Sequence, residues 1–196
     1  EARTCVDVPL ADLLEVLPDL EIEMVDRGGF ETSDADYAKV VRQIIDEEIG
    51  QGEGANLVVG RRYTAKVADW GHERALSVFR RLLERERGSF WTFCIFTGDR
   101  YLIGASPERH VSLDAGQLRM NPISGTFRMR GLDTNADRKR ELLKFPADEK
   151  EIYELFTVVD EELKMMCDLC HEGGLVLGPY LKPMTHLVHT EYLLAG

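Results

Sequence analysis

Two glutamates at the start of a long, apolar-striped segment could serve as ligands for a metal ion. Glu151 and Glu154 lie three residues apart in DEKEIYELFTVVDEELKMM, and a helix places residues at that spacing on one face. Their carboxylate oxygens suit Mg²⁺, which binds few protein carboxylates and keeps several waters. Acidic residues also stabilise a helix N-terminus without any metal, so the pair alone leaves an ordinary solvated role open.

Three other stretches carry groups that could act on a substrate. Glu108 in GASPERHV follows a proline where a strand begins, and a carboxyl group there can act as a general acid if burial raises its pKa. Gly125 and Thr126 in NPISGTF end a strand, and backbone N–H groups with a hydroxyl can bind a carboxylate. His186 in MTHLVHTEY alternates with apolar neighbours, as on a strand. Each group also has an ordinary structural explanation, so none assigns a function alone.

The composition predicts one soluble globular domain. The chain has 196 residues, of which 44% are hydrophobic, and a formal net charge of -11. Such an acidic balance without a basic stripe argues against nucleic acid and anionic membranes as partners. No apolar run is long enough to span a bilayer, and the N-terminus does not resemble a signal peptide. We therefore expect a cytoplasmic protein.

The four cysteines are too few for a disulfide scaffold at this length. Two of them lie in CDLCH, which matches the spacing of covalent haem attachment. The amphipathic helix predicted over this stretch already explains the residues, so we interpret Cys167 and Cys170 as ordinary helix residues with thiols.

Helices and antiparallel strands are predicted in an order typical of an α+β fold. Ser33 is a plausible N-cap for a helix that ends at Gly50 and Gly52, and a strand is expected over 55–67. A helix over 72–86, strands over 89–124, a helix over about 147–170 and strand character from 175 onwards follow. The predicted turns between the middle strands are Gly98-Asp99 and Asp114-Ala115-Gly116. The predicted buried face of the helix over 72–86 consists of Leu76, Phe79, Leu82 and Leu83. That of the helix over about 147–170 consists of Ile152, Leu155, Phe156, Val159, Leu163, Met166 and Leu169.

The motifs GASPERHV, NPISGTF, DEKEIYELFTVVDEELK and HLVHTEYLLAG, in that order, together resemble the chorismate-utilising enzymes. This family includes anthranilate synthase component I, aminodeoxychorismate synthase, isochorismate synthase and salicylate synthase. The resemblance covers about residues 30–196 and implies a sandwich of antiparallel sheets flanked by helices. We expect residues 1–196 to form an incomplete chorismate-binding synthase domain.

The resemblance implies a role for each candidate residue. Glu154 matches the glutamate that binds Mg²⁺, which holds the carboxylate of chorismate, and Glu151 would act through water or as a further ligand. Gly125 and Thr126 would contact the substrate carboxylate. Glu108 matches the general acid for the C4 hydroxyl, and His186 matches the active-site histidine associated with ring chemistry after amination.

Asn56, in GEGANLVVGRRY, matches the position that selects the nucleophile. Water-using members carry a lysine base there, whereas an asparagine cannot act as a base near neutral pH. Ammonia is nucleophilic without a base, so the resemblance favours ammonia. Phe127 after Gly-Thr, and VVDEELKMM, resemble the 2-amino-2-deoxyisochorismate synthases of phenazine and enediyne biosynthesis, which aminate chorismate and keep its enolpyruvyl group.

Two alternatives remain open at this point. One is anthranilate synthase component I, which also eliminates pyruvate, and the other is a catalytically inactive module that binds a partner. The resemblance further implies a homodimer in the complete protein and ammonia from a glutamine amidotransferase domain or subunit that this chain lacks. We expect the 196-residue chain alone to be inactive.

Overall fold

The computed structural model describes residues 4–129, 131 and 134–196 of the chain. Within them, two compact units are distinguished: one contains the residues up to Gly29, Tyr63–Glu86 and Trp91–Ala105, and the other contains the rest. The helices are α1 Leu10–Val16, α2 Asp34–Gln43, α3 His72–Arg85, α4 Asn135–Lys144 and α5 Glu149–Leu169. The strands are β1 Gly29–Phe30, β2 Tyr63–Thr64, β3 Trp91–Phe96, β4 Tyr101–Ser106, β5 Arg109–Asp114, β6 Gln117–Asn121, β7 Ile123–Arg128, β8 Leu175–Pro183 and β9 Leu187–Ala195. The predicted α+β class is confirmed.

The first unit contains α3 and most of a two-stranded β3–β4 sheet. The predicted Gly98 turn lies between those strands, with the positive φ of 107° that glycine tolerates. The buried face of α3 differs from the prediction, because Ala75 and Ser77 are fully buried while the four predicted apolar residues are only partly so. Ser77 Oγ accepts the N–H of Leu20 at 3.0 Å, so the helix packs closely through small residues against the N-terminal segment.

In the second unit, β9 is the central strand of a five-stranded antiparallel sheet. One edge of β9 pairs with β8, and the other pairs first with β7 and then with β6, which in turn pairs with β5. Helix α5 packs across β7 and β9. Buried side chains of α5, β6 and β9 form the main hydrophobic core, which comprises Met120, Leu155, Val159, Met166, Tyr192 and Leu194.

Helix α5 buries a narrower face than its sequence predicts. Leu155, Val159 and Met166 are buried as expected, whereas Ile152, Phe156 and Leu169 are 36%, 55% and 62% exposed. A sheet buries only those helix residues that lie directly above its strands. The apolar stripe of α5 is wider than this area of contact. Ile152 and Phe156 instead line an open cavity of about 130 Å³ beside β8.

The predicted strand over 55–67 is wrong for most of its length. Only Tyr63–Thr64 forms a strand, and residues 55–62 contain neither helix nor strand. The β-branched residues favour an extended backbone, but a strand also needs a neighbour to accept its hydrogen bonds. Val58 is 95% exposed, so the apolar side chains of this stretch are not covered by the described residues.

The predicted start of α2 is confirmed. Ser33 Oγ accepts the N–H of Asp36 at 3.1 Å and donates to its carboxylate at 2.7 Å. After α2 the chain continues through a π-helical turn at Ile44–Glu48 and a 3₁₀ turn at Ile49–Gln51, and Gly52 ends the run with a φ of 84°. Among the described helices, none has the length and apolar character needed to cross a membrane.

The core predicts a contrast between two adjacent methionines of α5. Met166 is fully buried, and Met165 is 41% exposed. Met166→Ala should lower the free energy of unfolding by about 2–5 kcal/mol, because it removes buried methylenes and leaves a cavity. Met165→Ala should change it by about 0.5 kcal/mol or less. Urea denaturation followed by circular dichroism measures both, and equal losses would contradict the proposed core.

Candidate active site

Two consecutive residues of β9 fix the backbone of Gly125 on β7. The N–H of Gly125 donates to Thr190 Oγ1 at 3.1 Å, and its carbonyl oxygen lies 3.1 Å from His189 Nδ1. His189 and Thr190 are 6% and 5% exposed, so water does not compete for these bonds. Because the Gly125 N–H already donates its hydrogen bond to Thr190 Oγ1, it is not free in this structure to bind a substrate carboxylate. The expected contact of Gly125 with a substrate carboxylate stays a prediction.

The Thr126 hydroxyl is the more accessible group of the Gly-Thr pair. Thr126 is exposed and stands opposite His189 in the ladder between β7 and β9. Its Oγ1 lies 3.1 Å from His189 Nδ1. The sequence signals did not identify His189, although HLVHTEY contains two histidines and the second falls on the strand.

A glycine is required at position 125 because Glu151 approaches it closely. A Cβ atom built there would lie 1.8 Å from Glu151 Oε2 and 3.0 Å from Phe145 Cζ. The Glu151 side chain is 14% exposed, and its Oε2 is buried without a hydrogen-bond partner among the described residues. Such an oxygen is costly to bury, so it identifies a position where a cation or donor would be stabilised.

The two predicted metal ligands do converge. Asp148 caps α5 by accepting the N–H of Lys150 at 2.9 Å, which begins the helix just before the pair. Lys150 Nζ lies 3.0 Å from Glu151 Oε1 and 2.7 Å from Glu154 Oε2, so both carboxylates reach one cationic group. Glu154 and then Glu151 raise the pKa of the Lys150 ammonium.

This arrangement fits a cation that takes few protein ligands. Two carboxylates reach a common point, and one of them keeps a buried, unpartnered oxygen. In the described part of the chain, no group of three or more histidine, cysteine, aspartate or glutamate side chains could hold a metal. Mg²⁺ satisfies its remaining positions with water or substrate oxygens, so Glu151 and Glu154 are the residues that could hold it.

Glu108 lies in the tight connection between β4 and β5. Ser106 Oγ donates to the Glu108 carbonyl at 2.8 Å and shapes this turn, while the Glu108 carboxylate accepts the N–H of Ile123 at 3.5 Å. The side chain is half-buried. Its carboxyl group is therefore anchored beside the start of β7, the strand that carries Gly125.

Glu162 is a buried acid that the sequence analysis missed. Its Oε2 is buried without a hydrogen-bond partner among the described residues. Burial raises the pKa of Glu162 to about 6, the Glu108 carboxylate adds to that increase, and His110 opposes it. The signal was present in the sequence, because Glu162 lies seven residues after Leu155 and four before Met166, on the buried stripe of α5.

A charged network joins four strands of the same sheet. Arg109 Nε donates to Asn121 at 2.7 Å, Asn121 Nδ2 donates to Glu191 at 3.1 Å, and Lys182 Nζ lies 3.4 Å from Glu191. Arg109 and Lys182 also lie over the Phe90 ring, at 4.8 and 3.9 Å from its centroid. The cations already have partners, so we interpret the network as structural.

Two predicted site residues are not part of this cluster. His186 was expected on a strand, but it lies exposed in the turn before β9, where its carbonyl accepts the N–H of Met129 at 3.1 Å. Asn56 lies exposed in the stretch without helix or strand. In the residues that the structure describes, no recorded hydrogen bond joins either side chain to Gly125, Glu108 or Glu151. Their expected roles stay predictions.

The approach of Glu151 to Gly125 predicts a severe effect of Gly125→Ala. The new Cβ should displace Glu151 and lower the free energy of unfolding by about 1–3 kcal/mol through overpacking. Gly60→Ala is the matched control, since nothing lies within 4 Å of its Cβ position. Adding Glu151→Ala should restore part of the loss in a double-mutant cycle measured by urea denaturation. Strictly additive losses would show that the two residues do not touch.

The raised pKa of Glu162 predicts a pH-dependent stability. The pKa of Glu162 is higher in the folded state than in the unfolded state. Below about pH 4.5 both states are protonated and the group does not affect the free energy of unfolding, whereas that free energy falls as pH rises from about 4.5 to 6. Glu162→Gln should therefore become more stable than wild type across this window, by about 1 kcal/mol, because the carboxyl is only half-buried. Denaturation at pH 4 and pH 7 measures the difference, with the exposed Glu172→Gln as control. A constant difference would contradict the assignment.

Comparisons with known proteins identify the family to which the chain belongs. A family model described as chorismate binding enzyme matches residues 23–189. Over 189 residues, the chain is 51% and 50% identical to the phenazine-specific anthranilate synthases of Pseudomonas chlororaphis and Pseudomonas fluorescens, covering 96% of this chain and 29% of each relative. The chain thus spans less than a third of their length.

A solved structure shows the same fold. It is named as a 2,3-dihydroxybenzoate-specific isochorismate synthase of Bacillus anthracis, and it matches 92% of this chain and 47% of its own with a TM-score of 0.69 at 24% identity. The family match extends over most of the 196 residues and contains Glu108, Gly125, Thr126, Glu151 and Glu154. The chain belongs to the chorismate-binding enzymes.

Proposed function

We propose that the protein containing this chain aminates chorismate at C2 with ammonia, in a Mg²⁺-dependent reaction that gives 2-amino-2-deoxyisochorismate. The ammonia comes from glutamine through an amidotransferase domain or subunit, and the product enters phenazine or related secondary metabolism. The observation that carries the proposal is the buried, unpartnered Glu151 oxygen against Gly125, beside Glu154. The phenazine-specific names of two relatives support the pathway.

Glu151 and Glu154 are the residues that would hold Mg²⁺. The ion would neutralise and orient a carboxylate of the chorismate dianion, which an acidic protein of net charge -11 otherwise repels. Thr126 would donate its hydroxyl proton to the substrate carboxylate, and Gly125 would keep its strand in contact with Glu151.

Glu108 would deliver the proton that the leaving group needs. Nitrogen forms a bond to C2, the ring double bonds shift, and the bond between C4 and its hydroxyl breaks. The departing oxygen takes the Glu108 proton and leaves as water, while the nitrogen loses a proton to restore the balance. A general acid must be protonated at the working pH and lie within reach of the leaving oxygen, and this role for Glu108 is part of the proposal.

Anthranilate synthase is the second candidate. Two relatives bear that name, and His186 matches a histidine associated with the later ring chemistry. The two reactions share the amination and differ only in whether the enolpyruvyl group is eliminated as pyruvate. Product identification therefore separates them.

The test uses the full-length protein with chorismate, Mg²⁺ and an ammonium salt. Mass spectrometry should show an amino product that retains the enolpyruvyl group, and no anthranilate fluorescence should appear without a second enzyme. Glu154→Ala should abolish Mg²⁺-dependent turnover and Glu151→Gln should weaken it less. Glu154→Ala should cost only about a few tenths of a kcal/mol in stability, the level of a first-turn charge.

Glu149→Ala is the matched control, because Glu149 is exposed in the same helical turn. It should retain activity. If Glu154→Ala unfolds the protein, the carboxylate is structural and the metal assignment fails. Anthranilate released by the wild-type enzyme alone would instead favour the second candidate.

A further inference from the structure

His189 lies where it can control the hydrogen bonding of the Gly125-Thr126 pair. It is 6% exposed on the central strand β9. Its Nδ1 lies 3.1 Å from the carbonyl oxygen of Gly125 and 3.1 Å from Thr126 Oγ1. The ladder aligns His189 directly with Thr126, so the backbone holds both contacts in place.

The contact with Gly125 determines which ring nitrogen of His189 carries a proton. A carbonyl oxygen only accepts hydrogen bonds, so Nδ1 must carry an N–H to be stabilised 3.1 Å away. An unprotonated Nδ1 would direct its lone pair at the lone pairs of the carbonyl. The geometry therefore selects the form of the ring in which Nδ1 is the donor.

That choice decides the direction of the Thr126 hydroxyl. Since Nδ1 donates, Thr126 Oγ1 accepts from it through a lone pair, and its own proton is left for another acceptor. Thr126 is exposed, so that acceptor can be a ligand. The neighbouring Gly125 N–H is already bonded to Thr190. At this point of the site, the Thr126 hydroxyl is therefore the donor that remains for an anion.

We propose that His189 is a positioning residue that holds the Thr126 hydroxyl as a donor toward the carboxylate of the substrate. The proposal rests on the proposed function for the identity of that substrate as chorismate. It differs from the role expected for His186, because His189 acts through Thr126 and does not touch the reacting ring.

The first test determines the protonated nitrogen directly, in the full-length wild-type protein labelled with ¹⁵N-histidine. Long-range ¹H–¹⁵N correlation spectra distinguish the two ring nitrogens, and the signals lost in His189→Asn assign the residue. We expect the proton on Nδ1. A proton on Nε2 alone would overturn the proposal, whatever the protein's activity proves to be.

The second test measures chorismate binding and turnover. Removing a hydrogen bond to a charged group should raise KM about 10- to 100-fold, so His189→Leu should show that rise while kcat changes much less. His189→Asn, whose amide can donate from a similar position, should restore most of the affinity. His171→Asn is the control, because His171 is exposed in the turn after α5.

Coupling to Thr126 separates positioning from a merely structural role. Thr126→Val should raise KM to a similar extent, and combining it with His189→Leu should add little further loss. Additive losses would overturn the proposal, as would a normal KM in His189→Leu. If the enzyme binds chorismate with this pattern but forms another product, the proposed function fails and the inference about His189 stands.

Discussion

The approach of Glu151 to Gly125 is the constraint on which the rest of the candidate site depends. The carboxylate oxygen occupies the space that a Cβ would take, so a side chain at residue 125 would displace the Glu151 carboxylate from its present position. This contact joins the first turn of α5, which carries the acidic pair, to the strand that carries Thr126.

The described part of the second unit contains three glutamates with a buried carboxylate oxygen of this kind. Glu151, Glu162 and Glu191 each bury an oxygen without a hydrogen-bond partner among the described residues. Glu191 has Lys182 at 3.4 Å to offset its charge, and Glu151 has Lys150 on its other oxygen. Burial raises the pKa of Glu162 to about 6, so its neutral form predominates only below about pH 6. A site that accepts a cation and delivers a proton, as we propose for this one, would retain such costs, since removing them would remove the chemistry.

The spacing of residues in the sequence correctly predicted the features that depend on interactions between residues close in sequence. The Ser33 cap, the turn at Gly98, the long helix and the convergence of Glu151 with Glu154 all depend on residues within a few positions of one another, and the structure contains them. The features that the sequence did not predict depend on contacts between residues far apart in the chain. Periodicity identified the apolar side of α5 but not how much of it the sheet covers, and no pattern in 55–62 indicated the lack of a neighbouring strand. The bond between His189 and Thr126 joins residues 63 positions apart.

Successive side chains of β9 point to opposite faces of the sheet, so one strand contributes to both the hydrophobic core and the candidate site. Thr190, Tyr192 and Leu194 face α5, where Thr190 bonds Gly125 and the other two belong to the hydrophobic core. His189 and Glu191 face the opposite side, where they bond Thr126 and Asn121. A shift of register by one residue would exchange these two sets and bury the charged one against the core. The apolar residues of β9 thus fix the position of its polar ones, and the hydrogen bonds at Gly125 depend on the packing of Tyr192 and Leu194 under α5.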